Sequence, residues 1–135
     1  MAYIDPSREN FALFKSLPRG RPIHLLNQIR YRELALYPEG HPAAALRRTG
    51  AQAFAEYFRL VVPRIEALGG GLVWNGSFEC MMTGPAEPEW DRVFVMGFPD
   101  ANAFLALVTD ADYKASVVIH RTAAVQDSRL IRYAP

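Results

Sequence analysis

The sequence has 135 residues, half of them hydrophobic, and a formal net charge of +1 at pH 7. This length is typical of one domain with a core of its own, and the composition is that of an ordinary globular protein. Because the charge is near neutral and the basic residues are scattered, the sequence lacks the positive patch of a nucleic-acid-binding protein. We therefore expect no nucleic-acid partner.

Targeting and membrane signals are missing from the sequence. The first ten residues, MAYIDPSREN, contain no apolar signal-peptide core, and no apolar run approaches the ~20 residues of a membrane helix. We expect a soluble, cytoplasmic protein with no membrane partner. The single cysteine, Cys80, excludes an intrachain disulfide and is interpreted as a small hydrophobic residue of a strand.

The first elements are a helix, a strand and a long connection. Residues 1–20 form a helical extension in which Asp5 is the predicted N-cap and Pro6 the first helical residue. Residues 22–32 are rich in Ile and Leu and are predicted to be a strand. The connection over residues 37–50 contains Pro, Gly and small residues and is a candidate mobile loop over a site.

Three helical segments and three strands follow. Residues 51–68 carry apolar side chains at helical spacing, and Pro63 within them predicts a kink or a broken hydrogen bond. Strands are predicted over residues 72–82 and 90–98. Asp100 is the predicted N-cap of the next helix, Asp110 that of a further helical segment, and VQDSRLIRY is the closing strand.

The element order is β-α-β-β-α-β after a leading helix, which is the ferredoxin-like pattern. It predicts an α+β domain with an antiparallel sheet over residues 1–135, of which residues 1–20 are an N-terminal helical extension. The similar segments GAQAF and DANAF begin the two main helices and fit two similar halves.

The predicted strands are apolar on both faces. A ferredoxin-like sheet has helices on one face only, so its other face should be polar where it meets water. Strand three instead places Val93 and Val95 opposite a second apolar set, and strand one places Leu26 opposite Leu25 and Ile29. The second set on strand three is Trp90, Phe94, Met96 and Phe98. A second copy packed sheet to sheet would cover the extra face, so we expect a homodimer.

The glycine-rich stretch EALGGGLVWNGSFE resembles a phosphate-binding loop only in composition. It follows a helix end, whereas a phosphate cradle precedes a helix start. Gly69 or Gly70 is predicted to end the helix. Asn75-Gly76 is either a hairpin turn or a bulge. We favour a bulge that re-aims Trp74, because a hairpin here would have short arms.

Four segments carry a resemblance to a known family: PIHLLNQIRYRELALYP, LGGGLVWNG, WDRVFVMGFPDANAFLALVTDADY and HRTAAVQDSRLI. They resemble the domain-of-unknown-function family 1330 of the dimeric α/β-barrel superfamily, from about Ile23 to Ile131. The most specific part is the tail, with Asp112-Tyr113, Arg121, Ala123-Ala124 and Asp127. The resemblance implies two ferredoxin-like units whose sheets form a barrel. It brings no established reaction, because related members include small monooxygenases, isomerases and haem proteins.

The histidines show no metal-binding or catalytic spacing. His24, His41 and His120 are far apart, and no HxH, HExxH or Cys-His motif occurs, so we expect no metal, haem or other cofactor. A hydrolase triad of His120 with Asp127 and Ser128 is excluded, because adjacent strand residues point to opposite faces.

The best candidate cluster consists of Tyr113, His120, Arg121, Asp127 and Arg129. In the functional interpretation, Arg121 or Arg129 pairs with an anionic ligand while His120, the best catalytic candidate, moves a proton. In the structural interpretation, Arg121 caps a helix C-terminus or pairs with Asp127, and Tyr113 packs on the preceding helix.

Polar side chains that interrupt the apolar strands are a second group of candidates. They are Asn27, Arg30, Trp74, Glu79 and Arg92. Such groups face water, pair across a dimer or line a pocket, because burying an unpaired charge is costly. We choose Asn27 and Trp74, together with Arg30, as candidate ligand-binding residues.

Two functions remain open from the sequence. The first is binding of a small apolar or weakly acidic metabolite in a barrel or cleft, with conversion by cofactor-free oxidation or isomerisation as a possible extension. The second is a non-catalytic homodimeric module with a structural or regulatory role.

Overall fold

Four antiparallel strands form a single sheet in the computed structural model, which describes residues 1–135. The strands are β1 (Ile23–Tyr31), β2 (Gly71–Ser77), β3 (Arg92–Phe98) and β4 (Val125–Tyr133). Their order in the sheet is β2-β3-β1-β4, so β2 and β4 are the edges. This order and the β-α-β-β-α-β sequence of elements confirm the ferredoxin-like α+β fold.

The helices differ in length and regularity. They are α1 (Arg8–Ser16), α2 (Gly50–Ala67), α3 (Ala101–Thr109) and α4 (Val118–Ala124), with a 3-10 turn at Pro42–Leu46 and a π-helical turn at Tyr113–Val117. No helix is both long and apolar enough to cross a membrane. Pro63 lies within α2 without ending it.

The core lies between one face of the sheet and the helices α2, α3 and α4. Alternate residues of β1 and β3 are buried, which is the period expected when one face of a strand packs on helices. Leu25, Ile29, Phe94 and Met96 provide the sheet side of this core, and Phe54 on α2 is 1% exposed against it.

The opposite face of the sheet carries no helix, and we call it the open face. Leu26 pairs with Val95 of β3 on one side and with Ile131 of β4 on the other. All three side chains are half-buried, as is Val93. The expected apolar character of both faces is therefore confirmed.

Helix capping agrees with the sequence at two of three predicted positions. Asp100 accepts the Ala103 N–H at 2.8 Å, and Asp110 accepts the Tyr113 N–H at 2.8 Å. The prediction for α1 is wrong, because Ser7 rather than Asp5 caps it. The Ser7 hydroxyl accepts the N–H three residues ahead, so the helix begins after Pro6.

The second predicted strand is too long. The strand ends at Ser77, so Glu79 and Cys80 lie beyond it. The prediction that Cys80 is a strand residue is wrong, and its side chain is exposed. A bulge is present, but the register shifts between Leu72 and Trp74 rather than at Asn75-Gly76. Gly69, with φ 87°, follows the end of α2 as expected.

The prediction that Trp90 shares a face with Phe94 is wrong, because β3 begins only at Arg92. The ring of Trp90 instead lies near the guanidinium groups of Arg30 and Arg129, at 5.9 and 5.1 Å from ring centroid to Cζ. These arginines project from the open face, so Trp90 covers that side of the sheet.

Candidate functional site

The predicted pocket residues Asn27 and Trp74 lie on opposite faces of the sheet. Asn27 pairs with Phe94, whereas Trp74 pairs with the adjacent Val95, and neighbouring strand residues point to opposite sides. Asn27 is buried on the helix side, where its Nδ2 donates to the Leu25 carbonyl at 3.1 Å. Trp74 is 54% exposed on the open face. A single pocket therefore does not contain both.

Arg129 and Asp127 fasten the N-terminal segment to strand β4. Arg129 donates to Oδ1 of Asp127 at 2.9 Å, and its Cζ lies 4.9 Å from the ring centroid of Tyr3. The Tyr3 N–H donates to the same carboxylate oxygen at 2.9 Å. This backbone hydrogen bond, followed by Arg129 and the Ser128 N–H, lowers the pKa of Asp127 below its usual value. Arg129 thus already has a carboxylate partner.

Arg121 is buried among neutral acceptors. Its Nη1 donates to the Ile4 carbonyl at 2.6 Å and its Nη2 to the Ser128 hydroxyl at 3.2 Å. Ser128 in turn donates to the Tyr3 carbonyl at 2.7 Å. Neither a helix C-cap nor a pair with Asp127, the two structural roles proposed for Arg121, is observed. Its guanidinium instead holds the N-terminal segment against the domain.

Two buried tyrosines lie close to this arginine. The hydroxyl oxygens of Tyr57 and Tyr113 are 3.0 Å apart, joining α2 to the π-helical turn. Burial raises the pKa of both phenols, while the charge of Arg121 opposes that rise. Tyr113 therefore packs against α2, and its hydroxyl is occupied by Tyr57.

His120 belongs to a different cluster from Arg121. Its Nδ1 lies 2.7 Å from the hydroxyl oxygen of Tyr37, and Arg48 donates to that oxygen at 3.3 Å. Because a hydroxyl has one proton and two lone pairs, it donates to Nδ1 when the imidazole carries its proton on Nε2, and accepts from Nδ1 when the proton is there. The ring of His41 stacks on Tyr37 with centroids 5.2 Å apart.

Burial lowers the pKa of His120 below its ordinary value, and this favours the neutral ring. Glu56 raises the pKa, whereas Arg48, His41 and Arg59 lower it. A neutral imidazole is suited to proton transfer. Its Nδ1, however, already has the Tyr37 hydroxyl as a partner.

A groove with a volume of about 620 Å³ lies between α2 and the edge strand β2. Seven of its ten lining residues are hydrophobic. The ten are Tyr31, Ala51, Phe54, Ala55, Phe58, Arg59, Val62, Pro63, Leu72 and Arg92. The residues from α2 recur at spacings of three and four and therefore share one side of that helix. This volume is within the range of small-molecule sites.

Arg92 is the most distinctive polar group of the groove. Its Nε donates to the Tyr31 hydroxyl at 2.9 Å and its Nη1 to Oδ1 of Asn75 at 2.7 Å. The other groove arginine, Arg59, forms an ion pair with Glu56. Sequence reasoning noted Arg92 as a strand interruption but did not place it in a pocket. The available signal was the spacing of two residues between Arg92 and Phe94, which places both side chains on the face that packs against the helices.

The groove and the His120 cluster lie on different sides of α2. Phe54, Phe58 and Val62 line the groove, whereas Tyr57 faces α4 through its bond to Tyr113. Glu56, whose charge acts on His120, is about 200° around the helix from Phe58. The structure therefore separates the predicted proton-transfer residue from the groove.

The comparisons with known proteins agree with this fold. A family model described as a domain of unknown function, DUF1330, matches residues 42–134. The chain belongs to the DUF1330 family. This DUF1330 chain is similar to the crystal structure of RPA0582, a protein of unknown function from Rhodopseudomonas palustris, with a TM-score of 0.88 and 44% identity. That match covers 100% of this chain and 98% of the other.

A second similar structure is that of methylated RPA0582 protein. The TM-score is 0.87 and the identity 46%, with 99% of this DUF1330 chain and 95% of the other covered. No curated protein matches this chain significantly. The family resemblance inferred from the sequence is confirmed, and neither relative is described with a reaction.

Proposed function

We propose that the protein binds a small, largely apolar metabolite in the groove between α2 and β2. The observation that carries this proposal is the open volume of about 620 Å³ with its mainly hydrophobic lining. Leu72, which faces this groove from the edge strand, is 40% exposed. A ligand that covers such apolar surface gains roughly 25 cal/mol per Å² removed from water.

The proposal concerns binding rather than conversion. The groove lining contains no histidine and no carboxylate, and its titratable groups are Tyr31 and two arginines. Cofactor-free oxidation or isomerisation requires a proton acceptor near the ligand. His120, the best catalytic candidate from the sequence, is on another side of α2, so its predicted catalytic role gains no support from the groove.

Filling the groove tests this function. Ala55 is an exposed groove residue of α2, and Ala55→Trp would place an indole in the open volume. Ala106→Trp on α3 adds the same side chain at an exposed position outside the groove. We expect apolar fragments, screened by ligand-observed NMR, to bind the wild type and Ala106→Trp but not Ala55→Trp. Absence of binding to the wild type, or equal binding to both variants, would refute the proposal.

A homodimer is the second candidate, and the open face favours it. We propose that a second copy covers Leu26, Val93, Val95 and Ile131, since exposed contiguous apolar surface is characteristic of interfaces. Two-fold symmetry would bring the same face of each sheet together. A module whose only role is this assembly would be structural or regulatory.

The oligomeric state tests the second candidate. Light scattering at micromolar concentration should give twice the mass of one chain for the wild type. Val95→Glu should give a monomer, because it places a charge at the centre of the open face. Ala106→Glu, which adds the same charge on α3, should stay dimeric. A monomeric wild type would exclude this dimer.

A further inference from the structure

We infer that the groove selects a ligand with a carboxylate, which pairs with Arg92, and an aromatic or branched apolar body, which packs on Phe58 and Leu72. This inference rests on the proposed binding function and adds the chemical class of the ligand. The arrangement of Arg92 and its surroundings supports it in three ways.

First, the guanidinium of Arg92 is held in place with donors to spare. The Tyr31 hydroxyl accepts from Nε and the Asn75 side chain accepts from Nη1. Tyr31 is on β1 and Asn75 on β2, the two strands that flank β3, so Arg92 is held from both sides. An arginine carries five N–H donors, so two bonds leave three for a ligand. Because the planar group is already oriented, a carboxylate would bind with less loss of side-chain freedom.

Second, the charge of Arg92 has no carboxylate within ion-pair distance, because the acceptors on its guanidinium are a phenol and an amide. The neighbouring Asp91 instead accepts the Tyr31 N–H at 2.7 Å. Burial raises the pKa of Tyr31, which keeps its phenol neutral at physiological pH. Arg59 is neutralised by Glu56, so the groove retains the positive charge of Arg92.

Third, the apolar wall lies beside this charge. The ring of Phe58 contacts that of Phe94 edge-on, with centroids 5.0 Å apart, and is therefore fixed in orientation. Arg92 is two residues before Phe94 on the same side of β3, so the guanidinium and the aromatic wall are neighbours. A flat or branched acid can contact both at once.

Two probes of the same shape test the inference. Naphthalene-1-carboxylate and naphthalene-1-carboxamide differ in charge but not in their apolar body. By isothermal titration calorimetry near neutral pH, we expect the wild type to bind the acid about tenfold more tightly than the amide, because only the acid forms charge-assisted hydrogen bonds. Arg92→Met should remove this preference by weakening the acid and leaving the amide unchanged.

Two further variants separate charge from packing. Arg59→Met removes the paired arginine and should change the acid-to-amide ratio by less than about twofold. Arg92→Lys keeps the charge but loses the planar fork, so an intermediate ratio is expected. If Arg92→Met unfolds, as judged by circular dichroism, the ratios in the wild type and in Arg92→Lys decide the question.

The failures of the two proposals are distinguishable. Equal affinity of both probes for the wild type, with both lost in Ala55→Trp, would overturn the carboxylate preference and leave the groove as a binding site. A preference for the acid that persists in Arg92→Met would overturn the role of Arg92. No binding of either probe would overturn this inference, and the fragment screen then decides the groove.

Discussion

The hydroxyl oxygen of Tyr37 lies 2.7 Å from Nδ1 of His120, in a hydrogen bond that connects two parts of the chain 83 residues apart. Tyr37 belongs to the long connection after β1, and His120 to α4. Backbone contacts run beside this bond, since Leu36 N–H donates to the Ala123 carbonyl at 2.9 Å. The connection expected to be a mobile loop is therefore fastened to α4 by a side-chain and a backbone hydrogen bond.

The first prediction is a loss of stability on mild acidification. Because the pKa of His120 is lower in the folded state than its ordinary value of 6.5, the unfolded chain binds more protons between the two values. The free energy of unfolding therefore rises with pH in this window and falls as pH drops below about 6.5. The melting temperature should be lower at about pH 5.5 than at about pH 7.5.

His120→Gln isolates this effect, because glutamine has no titration in the window. Its melting temperature should depend less on pH than that of the wild type, whereas His24→Gln on the open face should retain the wild-type dependence. The pKa values of Glu56 and Asp127 are also lowered, from 4.5 and 3.8, so these groups change stability only at lower pH, outside this window. A pH dependence unchanged by His120→Gln would contradict the assignment.

The second prediction concerns the charges around His120. Arg48 lowers the pKa of the imidazole and Glu56 raises it. Arg48→Met should therefore raise the pKa of His120, and Glu56→Gln should lower it further. An NMR titration of the imidazole Hε1 resonance measures both shifts. Two shifts of the same sign would show that the surrounding charges are arranged differently.

The third prediction is an energetic coupling between Tyr57 and Tyr113. Each hydroxyl is the other's partner in a buried site, so either change to Phe leaves one polar group unsatisfied and should cost about 1 kcal/mol. The double variant should cost less than the sum of the single ones by about 0.5–1 kcal/mol. Urea unfolding of the four proteins measures this cycle, and additive costs would exclude the coupling.

The fold was accessible from the sequence because its signals are local. Phe54, Phe58, Val61 and Ile65 recur at helical spacing, and Val125–Tyr133 is the strand that the sequence predicts. The errors occur at element ends. Trp90 continues the apolar pattern of β3, yet the strand starts later, and before it the Asp91 carboxylate rather than a backbone carbonyl accepts the Tyr31 N–H.

The site was less accessible because it depends on distant contacts. His120 and Arg121 are adjacent in sequence but point about 100° apart on the helix, so they join different clusters. The place of Arg92 in the groove depends on which edge of the sheet α2 leaves uncovered, and no residue spacing in the sequence predicts that. The residue type of Arg129 also gives no indication that its guanidinium is already paired with Asp127.

The fourth prediction is that Gly50→Ala destabilises the fold although it adds a good helix former to α2. A Cβ at Gly50 would lie 2.0 Å from the Arg32 carbonyl oxygen, so the start of α2 would have to move away from the end of β1. We expect a cost of about 1–3 kcal/mol, opposite in sign to the gain of roughly 1 kcal/mol from helix propensity. Gly20 has nothing within 4 Å of such an atom, so Gly20→Ala should change stability by less than about 0.5 kcal/mol. Urea unfolding of both variants measures the difference, and equal stabilities would mean that α2 and β1 separate here at little cost.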